Sequence, residues 1–464
     1  MTNPILHPRA LCASLLAVSL FPGALSAAGF ALIENNARGQ GNAYAGAAAH
    51  TPDASTVYFN PAGMTALQGD QMAVAAHYIL PDSNFNNNGS TAGPAFAGTP
   101  FGMLNGDEDN GGSNALVPNF YYVKTIDEQS RFGFGFNAPF GLATKYNDDW
   151  VGRYHAIISD LQILNFNPSY AYQVNDQFSV GVGLDFMVAH INLTSAIDFG
   201  AVCLGNFTAS VCQDRGAMPQ QADGIADLEG DNYDDIAVGY NFGLTFQTSP
   251  DSKIGVAYRS EVDLKAEGDA DFKVPASVAD FVYATGGFID TGLEAEVTLP
   301  ASLSVSYARE VGRITYLADI TWTGWSSFEE LRIDYDNPLQ DPTINTYAWE
   351  DVMRYSFGID YQYSDDTVYR VGLAFDESPV PSAERRTPRL PGTDRTWLSL
   401  GLSKMLDKST SIDIGYSHLF IDDAEINNQY EVSNPALEPV LGATLVGDYE
   451  ASVDIFSVQL GWKF

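Results

Sequence analysis

From Gln71 to the last residue the chain alternates between apolar and polar positions. In its final segment Phe456, Val458, Leu460, Trp462 and Phe464 are apolar, and Ser457, Gln459, Gly461 and Lys463 fill the places between them. Successive side chains of a strand point to opposite faces, so this segment has one apolar face and one small or polar face. The same alternation runs from Phe178 to Ala189 and from Tyr355 to Tyr363. It returns in Tyr240–Phe246, Ile254–Tyr258, Leu303–Tyr307 and Tyr369–Phe375. The pattern predicts about fourteen strands, near 71, 117, 131, 161, 177, 235, 252, 295, 313, 350, 367, 395, 409 and 451, an even number as in bacterial membrane barrels.

Some connections between these segments are tight, as at 174–177, 249–252, 364–367 and 406–409, and others are long. Short turns at one end and long loops at the other suit an all-β fold, a 14-stranded antiparallel transmembrane β-barrel, whose closure leaves no unpaired backbone edge in lipid. A soluble sandwich would have to bury every one of these Tyr- and Phe-rich faces in a core. No composition break interrupts the strand and turn signals, so residues 69–464 read as one barrel domain.

The residues before the first strand follow other rules. Arg9, the apolar run Ala10–Phe21, Pro22-Gly23 and the small residues around Ser26 predict a signal peptide over 1–27; an uncleaved helix is the rival reading. Residues 28–68 carry the Gly- and Ala-rich stretch 37–49 and then the turn Asn60-Pro61-Ala62-Gly63. Such a segment is either a flexible leader or a hatch folded into the lumen. Small side chains, few charges and a rigid Pro turn suit the hatch, which must pack against barrel walls.

Charge and chemistry narrow the function. With 58 acidic residues against 23 basic ones and a net charge of −35, the chain lacks the basic surface that nucleic acid or anionic headgroups require. The acidic clusters at 105–112, 229–235 and 334–338 read as solvated loops, with cation bridging as the alternative, and none has calcium-loop spacing. Cys203 and Cys212 remain after export and suit a local disulfide. The six histidines have no metal-ligand spacing and no nucleophile motif is present. We therefore expect no catalytic residues, no metal and no cofactor. A general porin or an adhesin using the acidic loops is the other class of function to be weighed.

Several blocks in order carry a family resemblance: Ala28-Gly29-Phe30, the Asn60–Met64 turn, and the stretches 140–150, 258–263, 320–331 and 375–402. On these residues the chain resembles the FadL family, outer-membrane transporters of long-chain fatty acids and related hydrophobic compounds. The resemblance implies a Gram-negative outer-membrane location beside lipid and lipopolysaccharide, a monomer, and a hatch containing Phe30, Asn60, Pro61, Ala62 and Gly63. It also implies a third strand kinked inward, so that substrate leaves sideways into the membrane by passive diffusion.

Pro139 and Gly141 supply a cause for such a kink, since Pro cannot donate to the ladder and Gly adds backbone freedom; otherwise Pro139 merely ends the strand. A fatty carboxylate in an apolar pocket needs a basic partner. By position the candidates are His190, where the family's fatty-acid transporters carry Arg, and Arg332, where they carry Lys. The departure at His190 keeps neutral aromatic hydrocarbons open as substrates, and both residues are also readable as ordinary lumen-facing polar groups. Arg259 and Glu261 share a face, which raises the prospect of a wall-to-hatch ion pair.

Overall fold

The computed structural model of the chain describes residues 29–464, and the expected signal peptide lies outside them. The strands, in chain order, are β1 (Gln71–Asn87), β2 (Ala115–Thr125), β3 (Ser130–Lys145), β4 (Ile158–Asn175), β5 (Phe178–Asp198), β6 (Asp223–Asp231), β7 (Ala237–Ser249), β8 (Ser252–Arg259), β9 (Val262–Lys273) and β10 (Thr291–Leu299). They continue with β11 (Ser302–Val311), β12 (Ile314–Thr323), β13 (Glu330–Tyr335), β14 (Thr343–Thr346), β15 (Val352–Ser364), β16 (Thr367–Asp376), β17 (Arg395–Met405), β18 (Thr410–Ile421), β19 (Ala424–Gln429) and β20 (Thr444–Lys463).

Fourteen of these close a ring of antiparallel pairs. Strands β1 to β5 pair in sequence, and the ring then passes through β7, β8, β11, β12 and β15. Strands β15 to β18 again pair in sequence before β18 meets β20. A ladder from Gln71–Lys463 to Asn87–Gly447 joins β20 to β1 and completes the closure. The segment expected near 295 is displaced. Residues 291–299 form β10, which pairs with β9 and β13 outside the ring, and the wall strand begins at Ser302. Pro300 lies between the two and has no amide hydrogen to carry one ladder into the other.

The two ends of the barrel differ. Turns at 176–177, 250–251, 312–313 and 365–366 are minimal, and both the entry to β1 and Phe464 lie at this end, where the Phe464 amide donates to the Asp70 carbonyl at 2.9 Å. The opposite end carries the long connections. There the upper half of β5 continues through β6, β9, β10, β13 and β14 as a sheet that prolongs the wall, and β19 pairs with β20. Helices α1 (Phe199–Asn206) and α2 (Ala209–Asp214) are joined by the Cys203–Cys212 disulfide, with Cα atoms 6.0 Å apart, beneath Phe199 and Val278.

The faces sort in the sense opposite to a water-soluble sheet. Leu373, Leu400 and Phe456 are about half exposed, at 53, 51 and 50%, whereas the neighbouring Ser399, Ser417, Ser457 and Gln459 are buried. Apolar side chains thus face the hydrocarbon, and small polar ones face a filled lumen. A cation placed on the outer face at mid-strand costs about 2–4 kcal/mol. Leu400→Arg is therefore expected to lower the urea midpoint of the refolded barrel in lipid vesicles, while Leu400→Phe leaves it unchanged.

Candidate functional site

Residues 29–67 fill the lumen. Asn36 Oδ1 accepts from the Gly39 amide (2.7 Å) and caps the short helix Ala37–Gln40. A second short helix, Thr56–Phe59, ends at Asn60, whose own amide donates to the Thr56 carbonyl (2.8 Å). Asn60 also starts the 3₁₀ turn Pro61–Ala66, because its Oδ1 accepts from the Ala62 amide (3.0 Å). Pro61 suits the first position of that turn, where an amide hydrogen would have no partner. Gly63 is required by closeness, since a Cβ there would lie 2.2 Å from Thr56 Oγ1.

The Asn60 amide nitrogen reaches the carbonyls of Ala48 (2.7 Å), Leu244 (2.9 Å) and Val256 (3.3 Å). One side chain thereby links two parts of the hatch to β7 and β8. The wall offers charges at the same level. Arg38 pairs with Asp413 of β18 (3.0 Å) and Asp53 (3.3 Å), Asn42 donates to Asp360 of β15 (2.9 Å), and Arg354 donates to the Ala43 carbonyl (2.9 Å). Arg259 does reach the hatch, at the Tyr58 carbonyl (3.2 Å), but its carboxylate partner is Asp185 of β5, and Glu261 is exposed. Glycines in the wall let backbone meet backbone: a Cβ at Gly255 would lie 1.9 Å from the Ala48 carbonyl oxygen.

The wall is interrupted at one place. The ladder between β2 and β3 runs only from Thr125–Arg131 to Phe120–Phe136. Residues Ala115–Asn119 still pair with β1, yet have no partner on β3. On β3 the register to β4 slips between Asn137 and Phe140, leaving Ala138 and Pro139 out of the ladder. Above the gap the wall closes again, where Gly112 bridges Thr144 and the Lys145 amide donates to the Gly111 carbonyl (3.1 Å).

The hatch covers this window from within. The Leu32 amide donates to the Pro139 carbonyl (2.8 Å), the Gly141 amide donates to the Phe30 carbonyl (2.9 Å), and Asn119 Nδ2 donates to the Glu34 carbonyl (2.9 Å). Gly141 has no left-handed φ. Its lack of a side chain instead admits Leu32, whose Cδ1 would lie 3.0 Å from a Cβ there.

Two cavities stand out, and only the smaller is lined by hatch residues. One of about 150 Å³ lies behind the window, between Leu32, Tyr44, Phe59, Pro139, Phe140 and Phe242. A larger one of about 490 Å³ lies among the long connections, lined by Tyr154, Leu193, Phe272, Ile333, Arg389 and Tyr430 among others. The volume is in the range of small-molecule sites. Phe30 is 2% exposed, with ring centroids of Trp325 at 4.8 Å, Phe328 at 5.4 Å and Phe140 and Trp349 at 5.9 Å. Gly29 turns the chain beneath these rings with φ of +68°, and a Cβ there would lie 2.5 Å from Trp325.

The expected ligand residues lie elsewhere. His190 is half-buried on β5, with Nε2 3.9 Å from Glu229, and Arg332 on β13 is exposed and paired with Asp334 at 2.8 Å; neither lines either cavity. Three residues escaped the sequence reading. Pro118 sits on the open edge of β2, and a Pro inside a strand is itself a signal for an unpaired edge. Arg389 lies inside the 375–402 block. Glu34 is the only acid before Asp53.

Glu34 is fully buried, and its carboxylate oxygens reach no donor on another residue. Burial pushes its carboxyl up to about 7, against the pull of Arg395 and Arg354. A value raised above the ordinary 4.5 means that the docked hatch holds the proton more tightly than the released one, so docking is strongest below that pH and weakens as pH rises towards 7. Planar-bilayer recordings are expected to show more frequent open events at pH 7.5 than at pH 4.5, with Glu34→Gln abolishing the difference. Asn60→Ala removes bonds worth about 1 kcal/mol each and is expected to speed hydrogen exchange over 56–66 while the barrel stays folded.

The family model described as "Outer membrane protein transport protein (OMPP1/FadL/TodX)" matches residues 18–464. The long-chain fatty acid transport protein of Escherichia coli K12 is 30% identical over 428 residues, covering 89% of this chain and 92% of the relative. A 47 kDa outer membrane protein of Pasteurella multocida is 34% identical over 418 residues, covering 89% and 91%. Among solved structures, a Pseudomonas aeruginosa FadL homologue superposes with a TM-score of 0.82 at 22% identity, covering 94% of this chain and all of that one (100%). The Pseudomonas putida toluene transporter TodX superposes at 0.63 with 16% identity, covering 93% and 99%. These two structural likenesses speak to the fold.

Proposed function

The chain belongs to the OMPP1/FadL/TodX family of outer-membrane transport proteins, and we propose that it takes up long-chain fatty acids or other hydrophobic small molecules through the window between β2 and β3. The observation that carries this reading is the interrupted ladder with a cavity behind it that Leu32, Pro139, Phe140 and Phe242 line together with polar groups of the wall. A solute collected among the long connections would occupy the larger cavity, pass the Phe30 cage, and enter the space beside Pro139 once the Phe30–Leu32 segment withdraws.

Leaving sideways spares the solute from water. Exposing each methylene costs roughly 0.8 kcal/mol, so a long acyl chain that exits into lipid avoids a barrier that a periplasmic exit would impose. Binding and diffusion are enough for this path. The chain works as a monomer beside outer-membrane lipid and lipopolysaccharide, because the window is complete within one barrel.

Toluene transport by the structurally similar TodX keeps neutral aromatic hydrocarbons as a second substrate class. The neutral aromatic cage of Phe30, Trp325 and Trp349 favours them no less than an acyl chain.

Pro139→Val restores a ladder donor and favours straight pairing of β3. Uptake of labelled oleate by cells making this variant is expected to fall at least about fivefold, while its gel mobility still shifts on heating as a folded barrel does. Uptake equal to that of the unaltered chain would exclude the side exit.

A further inference from the structure

Two further spaces lie along the hatch between the window cavity and the short-turn end of the barrel. A vestibule of about 200 Å³ at that end is bordered by Arg38, Pro52 and Asp53 of the hatch and by Ser403, Asp366 and Lys463 of the wall. Between it and the window cavity is a neck of about 10 Å³, lined by Arg38, Asn42, Ala47, His50, Phe59 and Asp360 among others. Consecutive spaces share walls. Tyr44, Ala47 and Phe59 border both the window cavity and the neck, and Arg38 and Pro52 border both the neck and the vestibule.

Buried polar atoms without protein partners follow the same line. Asn42 is 5% exposed and its Nδ2 donates to Asp360 (2.9 Å), yet its Oδ1 meets no donor among the described residues. In the window cavity the same holds for Asn241 Oδ1, and Arg354 Nε meets no acceptor. Leaving such a group dry costs about 1–3 kcal/mol, and a neck of this volume holds about one water. Arg38 borders the lower mouth with its charge matched, between Asp53 (3.3 Å) and Asp413 (3.0 Å). An acyl chain or an aromatic ring is wider than a single water, and an ion would have to shed its hydration shell to enter.

A solute that enters the window cavity must displace the water that these polar atoms hold. The window itself leads into hydrocarbon, where water finds no partners, and the way up is taken by the incoming solute. We propose that the neck and the vestibule form a water drain through the hatch: water leaves the window cavity past Asn42 and Arg38 towards the periplasm as solute enters, and returns once the solute has passed into lipid. The drain rests on the transport reading above and adds to it an aqueous path that the substrate does not take.

Osmotic shrinkage of lipid vesicles carrying the purified full-length barrel, followed by light scattering, tests this. The unaltered chain is expected to pass water at least about fivefold faster than protein-free vesicles while sucrose stays out. Ala47→Leu fills the neck and is expected to return the rate to that of bare lipid and to slow uptake of labelled oleate by cells about threefold. Phe59→Ala widens the neck and is expected to raise the water rate about twofold, still without passing sucrose. A bare-lipid rate for the unaltered chain, or a rate that neither substitution moves, overturns the drain and leaves the transport reading standing. Failure of cells making the unaltered chain to take up oleate or toluene overturns the transport reading, whatever the vesicles show.

Discussion

In hydrocarbon no backbone amide or carbonyl finds water, so each must find a partner within the protein. That constraint accounts for the ring of fourteen paired strands and for the long ladder that ties β20 to β1. It also explains why the one break in the ring, along Ala115–Asn119 and at Ala138–Pro139, cannot simply be left open. On the β3 side the missing partners come from inside, where the Leu32 amide donates to the Pro139 carbonyl and the Gly141 amide to the Phe30 carbonyl. The hatch therefore completes the wall as well as filling the lumen.

Docking of the hatch follows from the polarity that the membrane imposes. Outward positions must be apolar, which leaves serines, aspartates, arginines and glycines for the lumen. These are the groups that a chain segment needs in order to be held without a hydrophobic core of its own. Arg38, Asn42 and Asn60 hold it by directional bonds, and wall glycines such as Gly255 admit its backbone. Glu34, buried without a donor from another residue, weakens the hatch at the very segment that covers the window.

The aromatic cage around Phe30 extends the same division of labour. The hatch is held by polar bonds and by apolar contacts such as Val57 and Met64 with Tyr121 and Val123, and the larger cavity among the long connections mixes apolar walls with polar and acidic groups such as Asp198, Asp341 and Arg389. Phe30 belongs to the hatch by its backbone and to the upper apolar cluster by its ring. The segment that covers the window is thus tied by its backbone to β3 and by its ring to Trp325 and Trp349.

Much of this was legible in the chain alone, because strand alternation is local: a residue's face depends on its neighbours two places away. The barrel, its strand number and its two unlike ends follow from that period, and Pro139 announced an irregular third strand by lacking a donor. The blocks Ala28–Phe30 and Asn60–Met64 pointed to a hatch through resemblance. What remained hidden depends on residues distant in sequence. No local pattern tells that Asp185 rather than Glu261 meets Arg259, that Leu32 pairs with the bulge at Pro139, or that β10 leaves the wall after Pro300. The charge balance of a site is hidden in the same way. His190 and Arg332 carry the right chemistry for a carboxylate, but closure of the barrel puts each beside an acid and outside the cavities, and leaves Arg389 as the guanidinium that lines the upper cavity without one.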